Sequence, residues 1–503
     1  MYEELRDVRV ETKADYSIIG NAKYRRTSIG LFDFFVFMLS VVGTSIFIFF
    51  NNKEYCTSIG ILPVLFGICY SVFAAPIIRS RKSLTMMFFS ICEFLRCVFM
   101  PVFIAFSDYT GFGVFSTNDS GIILEAVLLM AWEMIVVFIF LHVYIRNHHS
   151  VQHKEHDAVL AENKYAIYLI ILIGIAIYFA SPQVRRYINF LSLSSASDKV
   201  RDVVAGGNSS VFTGLLTYVH DAFLCIFILV LDANARKFKS SGKRTNVWIP
   251  TFVGLVTVAV IFGESRATIV YTLFAVMSCL QLKYHEYGRR INLVLILGAA
   301  AVLVGMTVYR LFAVYNFSSY AAAIANGGYM GQNYLARFME GYLLGPQSIA
   351  AGIEFKAQHL GDFTFERFFF DLFRPFMGFN LILQRSSMDT SITLYNSWLT
   401  GIAGRSNGYF LQITSQCYCY LGFLLSPLFV CLFMWISVRL ENWRKRTRNL
   451  FVYFFISYVF IRTSTCVLGG TMSGYITNSS MTLLVCGFFF LMQRAFSSLI
   501  IRR

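Results

Sequence analysis

The sequence predicts an all-α integral membrane protein with about twelve transmembrane helices and one large structured loop on the outer face. Of its 503 residues, 56% are hydrophobic and only 14% are charged. So few charged residues cannot cover the surface of a water-soluble protein of this size. Apolar stretches close to the ~20 residues that a helix needs to cross a bilayer recur along the whole chain.

Twelve of these stretches are predicted spans. They lie at about 30–50, 57–77, 84–106, 121–145, 165–182, 211–231, 246–263, 266–282, 291–309, 409–437, 450–468 and 481–498. Several spans of the second half are short enough to fit only a thin or locally distorted crossing.

Basic residues orient the spans, because Lys and Arg are retained in cytoplasmic connections. The connections assigned to the cytoplasm hold 28 of the 43 Lys and Arg residues, and the outer connections hold 13. Both termini are therefore predicted to be cytoplasmic, with residues 1–29 before the first span and 499–503 after the last. The first 29 residues are too charged for a signal peptide, so we expect the first span to remain as an anchor.

The same asymmetry explains the net charge of +15. Contacts with anionic membrane lipids account for the excess of basic groups, and no nucleic-acid partner is expected. Ten of the eleven cysteines lie in apolar spans at irregular spacing, which argues against a disulfide framework and a thiolate metal site. We expect neither a metal nor a cofactor.

One outer connection is much longer than the others. It runs from residue 310 to 407, between spans 1–9 (30–309) and spans 10–12 (408–498). A loop of this length is usually functional or disordered, and its many Phe, Tyr and Leu residues argue against disorder. We expect helices that lie at the outer membrane interface or dip into it.

The long loop also carries side chains suited to chemistry. Its arginines outnumber its lysine by six to one, and arginine binds phosphate through a planar, bidentate fork. Arg337 and Glu340 are spaced i, i+3 and would share a helical face. Glu340 is the first candidate for a general base, with His359 in reserve. An interfacial cap of seven basic and six acidic groups is the alternative interpretation.

Other polar groups lie at the ends of spans or inside them. Arg266 occupies a tight outer turn and Arg310 follows the ninth span, where the alternative to phosphate binding is snorkelling to lipid headgroups. Glu93 and Arg96 are spaced i, i+3 in the third span and should form an ion pair. Further groups in spans need a partner or a cavity, namely Asp33, Glu125, Glu133, His220, Asp221 and Arg462.

Several sequence patches resemble one family. The many-span topology with one dominant outer loop, SRA at 265–267, YLLGPQSIAAGIEF at 342–355 and NGYFLQITSQCYCYLG at 407–422 resemble the Wzy-type O-antigen and oligosaccharide repeat-unit polymerases of bacteria. The resemblance implies a GT-C-like fold in the bacterial inner membrane. It also implies a metal-independent glycosyltransferase that joins undecaprenyl-pyrophosphate-linked glycans, both donor and acceptor, at the outer leaflet.

The resemblance gives the candidate residues their roles. The pyrophosphate would be bound by Arg266, Arg310, Arg337 and Arg405, and the sugars would stack on Tyr320, Tyr342 and Trp398. A membrane protein that regulates chain length is a further candidate partner. Two alternatives stay open at this point: a lipid-linked oligosaccharide flippase, and an O-antigen ligase-type glycosyltransferase with a different acceptor.

The predicted orientation can be tested with single cysteines. A cysteine in place of Leu360 should react with a membrane-impermeant thiol reagent on intact cells, whereas one in place of Gly242 should not. The unsubstituted chain is the control for labelling of its own cysteines. Labelling at position 242 but not at position 360 would show that the orientation is opposite to the predicted one.

Overall fold

The computed structural model describes residues 30–112, 115–148, 160, 164–186, 188–190, 210–262, 267–315, 335–376, 378–383, 388–403, 410–469 and 471–501. In this part of the chain nearly all regular structure is helical. The helices of the first half are α1 (Gly30–Phe50), α2 (Glu54–Arg81), α3 (Leu84–Phe106), α4 (Ser120–Asn147), α5 (Tyr165–Ala180), α6 (Pro182–Arg186) and α7 (Ser210–Ser241). Those of the middle are α8 (Thr245–Ala259), α9 (Ala267–Lys283), α10 (Gly288–Tyr315), α11 (Leu335–Leu343), α12 (Pro346–Gln358), α13 (Phe365–Phe373), α14 (Phe379–Leu383) and α15 (Ser391–Ala403). The last are α16 (Ile413–Leu425), α17 (Leu428–Arg446), α18 (Leu450–Ser464), α19 (Cys466–Gly469) and α20 (Met472–Ile501).

Short irregular elements complete the described chain. The second helix begins with a 3₁₀ turn over Glu54–Gly60, and both α2 and α3 contain one π-helical turn, at Tyr70–Ala74 and Leu95–Phe99. Strands β1 (Ile188–Phe190) and β2 (Val260–Phe262) pair antiparallel, with Asn189 opposite Ile261. This pairing joins the connection after α6 to the end of α8.

Among the described residues, seven helices are long and apolar enough to cross a membrane, or eight if one bent pair forms a single span. By helix length and hydropathy, the chain is therefore a multi-pass membrane protein, as predicted. Four shorter apolar helices, α5, α8, α9 and α18, coincide with further predicted spans.

The predicted span at 409–437 contains a sharp bend between two helices, which the sequence analysis did not predict. The axes of α16 and α17 differ by 104°, and Ser426 and Pro427 lie between them. Gly422, near the end of α16, has φ +76° and therefore a backbone conformation that L side chains rarely adopt. Hydropathy alone did not reveal the bend, because both helices are apolar.

The helix that contains the ninth predicted span extends past the predicted start of the loop at residue 310. Helix α10 continues to Tyr315, so Arg310 lies within a helix and does not follow it. The sequence VYRLFAVY has no helix-breaking residue, and this allows the extra turn and a half.

Buried apolar side chains form two large clusters. The first joins α1–α4 to α11, α12, α16 and α17, and the second joins α5, α7–α10, α18 and the C-terminal part of α20. Helices from the predicted outer loop thus belong to the packed core. The chain order of the spans does not predict this division, because α18 packs in the second cluster and the neighbouring α17 in the first.

The hairpin formed by α11 and α12, residues 335–358, is the loop segment that packs most deeply; we call it the inner hairpin. At its start, the Ala336 amide donates a hydrogen bond to Ser107 Oγ, 2.7 Å away at the end of α3. At its tip, the Leu344 carbonyl accepts one from Arg96 Nε at 3.2 Å, near the middle of α3. Helix α11 therefore runs along α3 from its end towards its centre, and α12 packs on α4 and α16.

The tip of the inner hairpin fits tightly against α3. Leu344 has φ +49°, which allows the sharp turn. At Gly345 an added Cβ would lie 2.6 Å from Met100 Cγ, so any larger residue would displace the Met100 side chain. On the return helix, a Cβ at Gly352 would lie 2.4 Å from Ser415 Cβ. These two glycines allow the hairpin backbone to approach its neighbours closely.

Arg96 connects three elements at this tip. Its Nη1 lies 2.7 Å from Glu93 Oε1 and 2.9 Å from Glu133 Oε1 of α4, and all three side chains are buried. The predicted Glu93–Arg96 ion pair is thus confirmed, and Glu133 extends it to a second helix. Since α3 and α4 are long apolar helices, these charges are stable there only because they satisfy one another.

Removing Arg96 should therefore destabilise the bundle strongly. Arg96→Met leaves two buried carboxylates without a cation, and we expect a loss of about 3–5 kcal/mol. The thermal unfolding midpoint of the purified protein in detergent would measure it. The triple variant Arg96→Met, Glu93→Gln, Glu133→Gln should recover much of the loss, and equal destabilisation of both variants would contradict this account.

Candidate functional site

The clearest cluster of chemically useful side chains lies just after the inner hairpin. His359 Nδ1 is 3.1 Å from Asp362 Oδ2, and Arg367 Nη1 is 3.0 Å from Asp362 Oδ1. The side chains of His359, Asp362 and Arg367 are 28%, 42% and 15% exposed, so solvent reaches the group. We call these three residues, with the rings of Phe355 and Trp398, the histidine site.

Local sequence explains why these three side chains meet. Helix α12 ends at Gln358, and a 3₁₀ turn follows in which the Asp362 amide donates to the His359 carbonyl at 2.9 Å. This turn places Asp362 back beside His359. Thr364 then caps α13, because its hydroxyl accepts from the Arg367 amide at 3.3 Å. The cap places Arg367 in the first turn of α13, next to Asp362.

The charges in this group determine the roles of the two nitrogens of His359. Hydrogen bonds from Arg367, and then from His359, lower the pKa of Asp362 below its ordinary value. The ionised carboxylate can only accept hydrogen bonds. Nδ1 of His359 therefore carries a hydrogen and donates a hydrogen bond to Asp362. The lone pair of Nε2 is then left for another proton. A His held in this tautomer by a carboxylate is the arrangement of a general base.

Aromatic rings border the histidine. The Phe355 ring lies 4.9 Å from the His359 ring and 5.6 Å from that of Trp398. Trp398 is fixed by a 2.7 Å hydrogen bond from Nε1 to Gln358 Oε1. Phe355 is fully buried, so of these two rings the partly exposed Trp398 is the one that can offer a face to a ligand. A fixed aromatic face beside polar groups is typical of small-molecule binding sites. The predicted sugar-stacking residue Trp398 and the predicted reserve base His359 are thus brought together.

Glu340, the first candidate for the base, lies elsewhere. It is fully buried in the inner hairpin, where Oε1 accepts from the Ser348 amide at 2.8 Å. Its Oε2 has no hydrogen-bond partner in the described part of the chain. Burial raises the pKa of Glu340 to about 8. In this conformation the carboxyl cannot reach an external hydroxyl, and it is held neutral near pH 7.

The predicted pyrophosphate ligands are only partly described. Arg337 is half-buried on α11, one turn before Glu340, and Tyr342 is half-buried on the same helix. Arg266, Tyr320 and Arg405 lie outside the described residues, as does the side chain of Arg310. The proposed joint arginine site is therefore still a prediction.

Sequence reasoning did not single out Asp362 and Arg367. The signal was present, because His359 and Asp362 are spaced i, i+3, and Thr364 is a good N-cap residue three positions before Arg367. Within the described ranges, no group of three His, Cys, Asp or Glu side chains could hold a metal ion.

Comparison with protein-family models, with curated proteins and with solved structures finds no match to this chain.

The raised pKa of Glu340 predicts a pH-dependent stability. Its folded pKa of about 8 lies above the ordinary value of 4.5. The contribution of the protonated carboxyl is thus complete below pH 4.5 and is lost as the pH rises through 8. We expect the unfolding midpoint to fall from pH 5 to 9, and Glu340→Gln, which mimics the neutral acid, to reduce that fall. Glu354→Gln on the return helix of the hairpin is the matched control, and an unchanged pH profile in Glu340→Gln would refute the assignment.

Proposed function

We propose that this protein is a glycosyltransferase of the outer leaflet that polymerises undecaprenyl-pyrophosphate-linked repeat units in the bacterial inner membrane. The observation that carries the proposal is the His359–Asp362 pair beside Arg367, next to the Phe355 ring on which Trp398 also packs. It combines a base, a cation and a stacking surface within one loop. The resemblance of four sequence patches to repeat-unit polymerases supports the same activity.

The proposed topology has twelve spans. The seven long helices, the bent pair α16–α17 and the four shorter apolar helices coincide with the twelve predicted spans. With both termini in the cytoplasm, the histidine site then belongs to the outer loop at 310–407. A substrate flipped to the outer leaflet would meet the site there.

The chemistry assigned to each group follows from its geometry. Nε2 of His359 would take the proton from the acceptor hydroxyl as that oxygen attacks the anomeric carbon of the donor. Asp362 would stabilise the resulting imidazolium. The bond from the anomeric carbon to the pyrophosphate oxygen breaks, and the leaving group takes the electron pair. Arginine would stabilise its charge; Arg367 is the described candidate, because it lies beside the proposed base and its side chain is 15% exposed.

Competing functions make different demands on this site. A flippase requires a continuous path for the glycan through the bundle and no base at the outer face. A ligase would use the same base and cation but would transfer to a different acceptor. The histidine site therefore favours a transferase, and the acceptor must be identified by the product.

The experiment is complementation of a host in which the gene is deleted and whose surface glycan is known. We expect His359→Gln to reduce polymer formation by about 10²–10⁴-fold, the usual contribution of general-base catalysis. Asp362→Asn should also impair it, since the imidazole loses its orienting carboxylate. His285→Gln is the matched control, because His285 is exposed in a connection predicted to be cytoplasmic.

Chain length on a gel separates the alternatives. Single repeat units on the lipid anchor in the deletion strain support a polymerase, while loss of all surface glycan points to a flippase or a ligase. Full-length polymer from His359→Gln at normal protein levels would remove this histidine from the mechanism.

A further inference from the structure

Arg96 and Arg462 both lie inside predicted spans, and their surroundings differ. Arg96 is fully buried and pairs with two carboxylates. Arg462, on α18, is partly exposed and has no carboxylate within 4.0 Å among the described residues. An arginine within a span is costly unless it has a partner or reaches water. Among the described residues, Arg96 has such a partner and Arg462 has none.

Aromatic rings flank the Arg462 guanidinium. Its Cζ lies 5.6 Å from the centre of the Tyr271 ring of α9 and 5.8 Å from that of the Tyr475 ring of α20. Contacts of this kind attract a cation and fix the plane of a guanidinium, but they add no negative charge. Its hydrogen-bonding edge is left for an anion.

Arg462 lies where the two large clusters of buried apolar side chains meet. We call this boundary the seam. Tyr475 belongs to the first cluster, whereas Tyr271 and most of α18 belong to the second. A seam between packed units is a common location for a ligand, since fewer packed side chains must be displaced there.

The depth of the site restricts the kind of ligand. Arg462 lies twelve residues after Leu450, the first residue of α18, which corresponds to about 18 Å along the helix. Three basic residues, Lys445, Arg446 and Arg448, mark the end of the helix that is predicted to be cytoplasmic. In a hydrocarbon layer of about 30 Å, Arg462 is then beyond the midplane and towards the outer side.

We propose that Arg462, between Tyr271 and Tyr475, binds the phosphate or pyrophosphate group of a membrane lipid at the seam of the two clusters. A phosphoryl group offers two oxygens to the planar guanidinium and supplies the missing negative charge. At this depth a ligand anchored by an apolar chain is favoured over a free anion. This binding site does not depend on the proposed glycosyltransferase activity.

The test measures binding to the purified full-length protein by native mass spectrometry. Equal concentrations of undecaprenyl pyrophosphate, phosphatidylglycerol and inorganic pyrophosphate are the three probes. We expect at least one of the two lipids to bind, and Arg462→Gln to weaken that binding about tenfold or more, as expected for loss of a charge-assisted hydrogen bond. Stronger binding of inorganic pyrophosphate than of either lipid would overturn the lipid assignment.

Two further variants complete the test, one as a matched control and one that keeps the positive charge. Arg439→Gln is the matched control, because Arg439 also lies over a ring, at 5.4 Å from that of Trp435, but is exposed near the C-terminal end of α17. It should bind the lipid like the wild type. If Arg462→Gln does not fold, Arg462→Lys keeps the charge, and we expect it to bind several-fold more weakly because it lacks the bidentate fork. Equal lipid binding by the wild type and Arg462→Lys would refute the site.

Discussion

The position of the inner hairpin depends on one buried guanidinium. Arg96 bonds to Glu93 on its own helix, to Glu133 on α4 and to the Leu344 carbonyl. A charge in an apolar bundle must be fully satisfied or it destabilises the fold. The same requirement that pairs α3 with α4 therefore fixes the hairpin tip. The position of the tip in turn directs α12, whose end carries His359.

Much of the architecture follows from the sequence because hydropathy and charge are local properties. Apolar runs located the long helices, and the i, i+3 spacing identified the Glu93–Arg96 pair. The Glu133 contact and the entry of residues 335–358 into the core depend on tertiary packing, which no single segment encodes. The bend between α16 and α17 was not predicted for a related reason. A hydropathy average carries no information on the direction of the helix axis, and only Gly422 and Pro427 indicate a bend.

The candidate site, too, could be predicted only in part, because residue types are visible in the sequence and tertiary contacts are not. His359 and Trp398 were chosen for their chemical type, and the structure places them around Phe355. Glu340 was chosen for its spacing from Arg337, but spacing cannot show which face of a helix is covered. In the fold that face meets α3, which makes Glu340 a structural acid in the described conformation. Asp362 and Arg367 became visible only when the turn and cap between α12 and α13 were seen.

Because of the 104° bend between α16 and α17, a tilt of one helix would displace the far end of the other. If α17 crosses the bilayer, the 104° bend turns α16 towards the membrane plane. The non-helical backbone at Gly422 divides α16 again, so residues 413–421 form a straight helix of about 14 Å. Helix α16 packs on α12, and its Gln416 and Tyr420 hold Asp371. Bilayer thickness sets the tilt of a spanning helix, and a tilt of α17 displaces the far end of α16 as a lever arm does. In the proposed topology, the thickness and composition of the surrounding lipid would then act on α12 and α13 through α16.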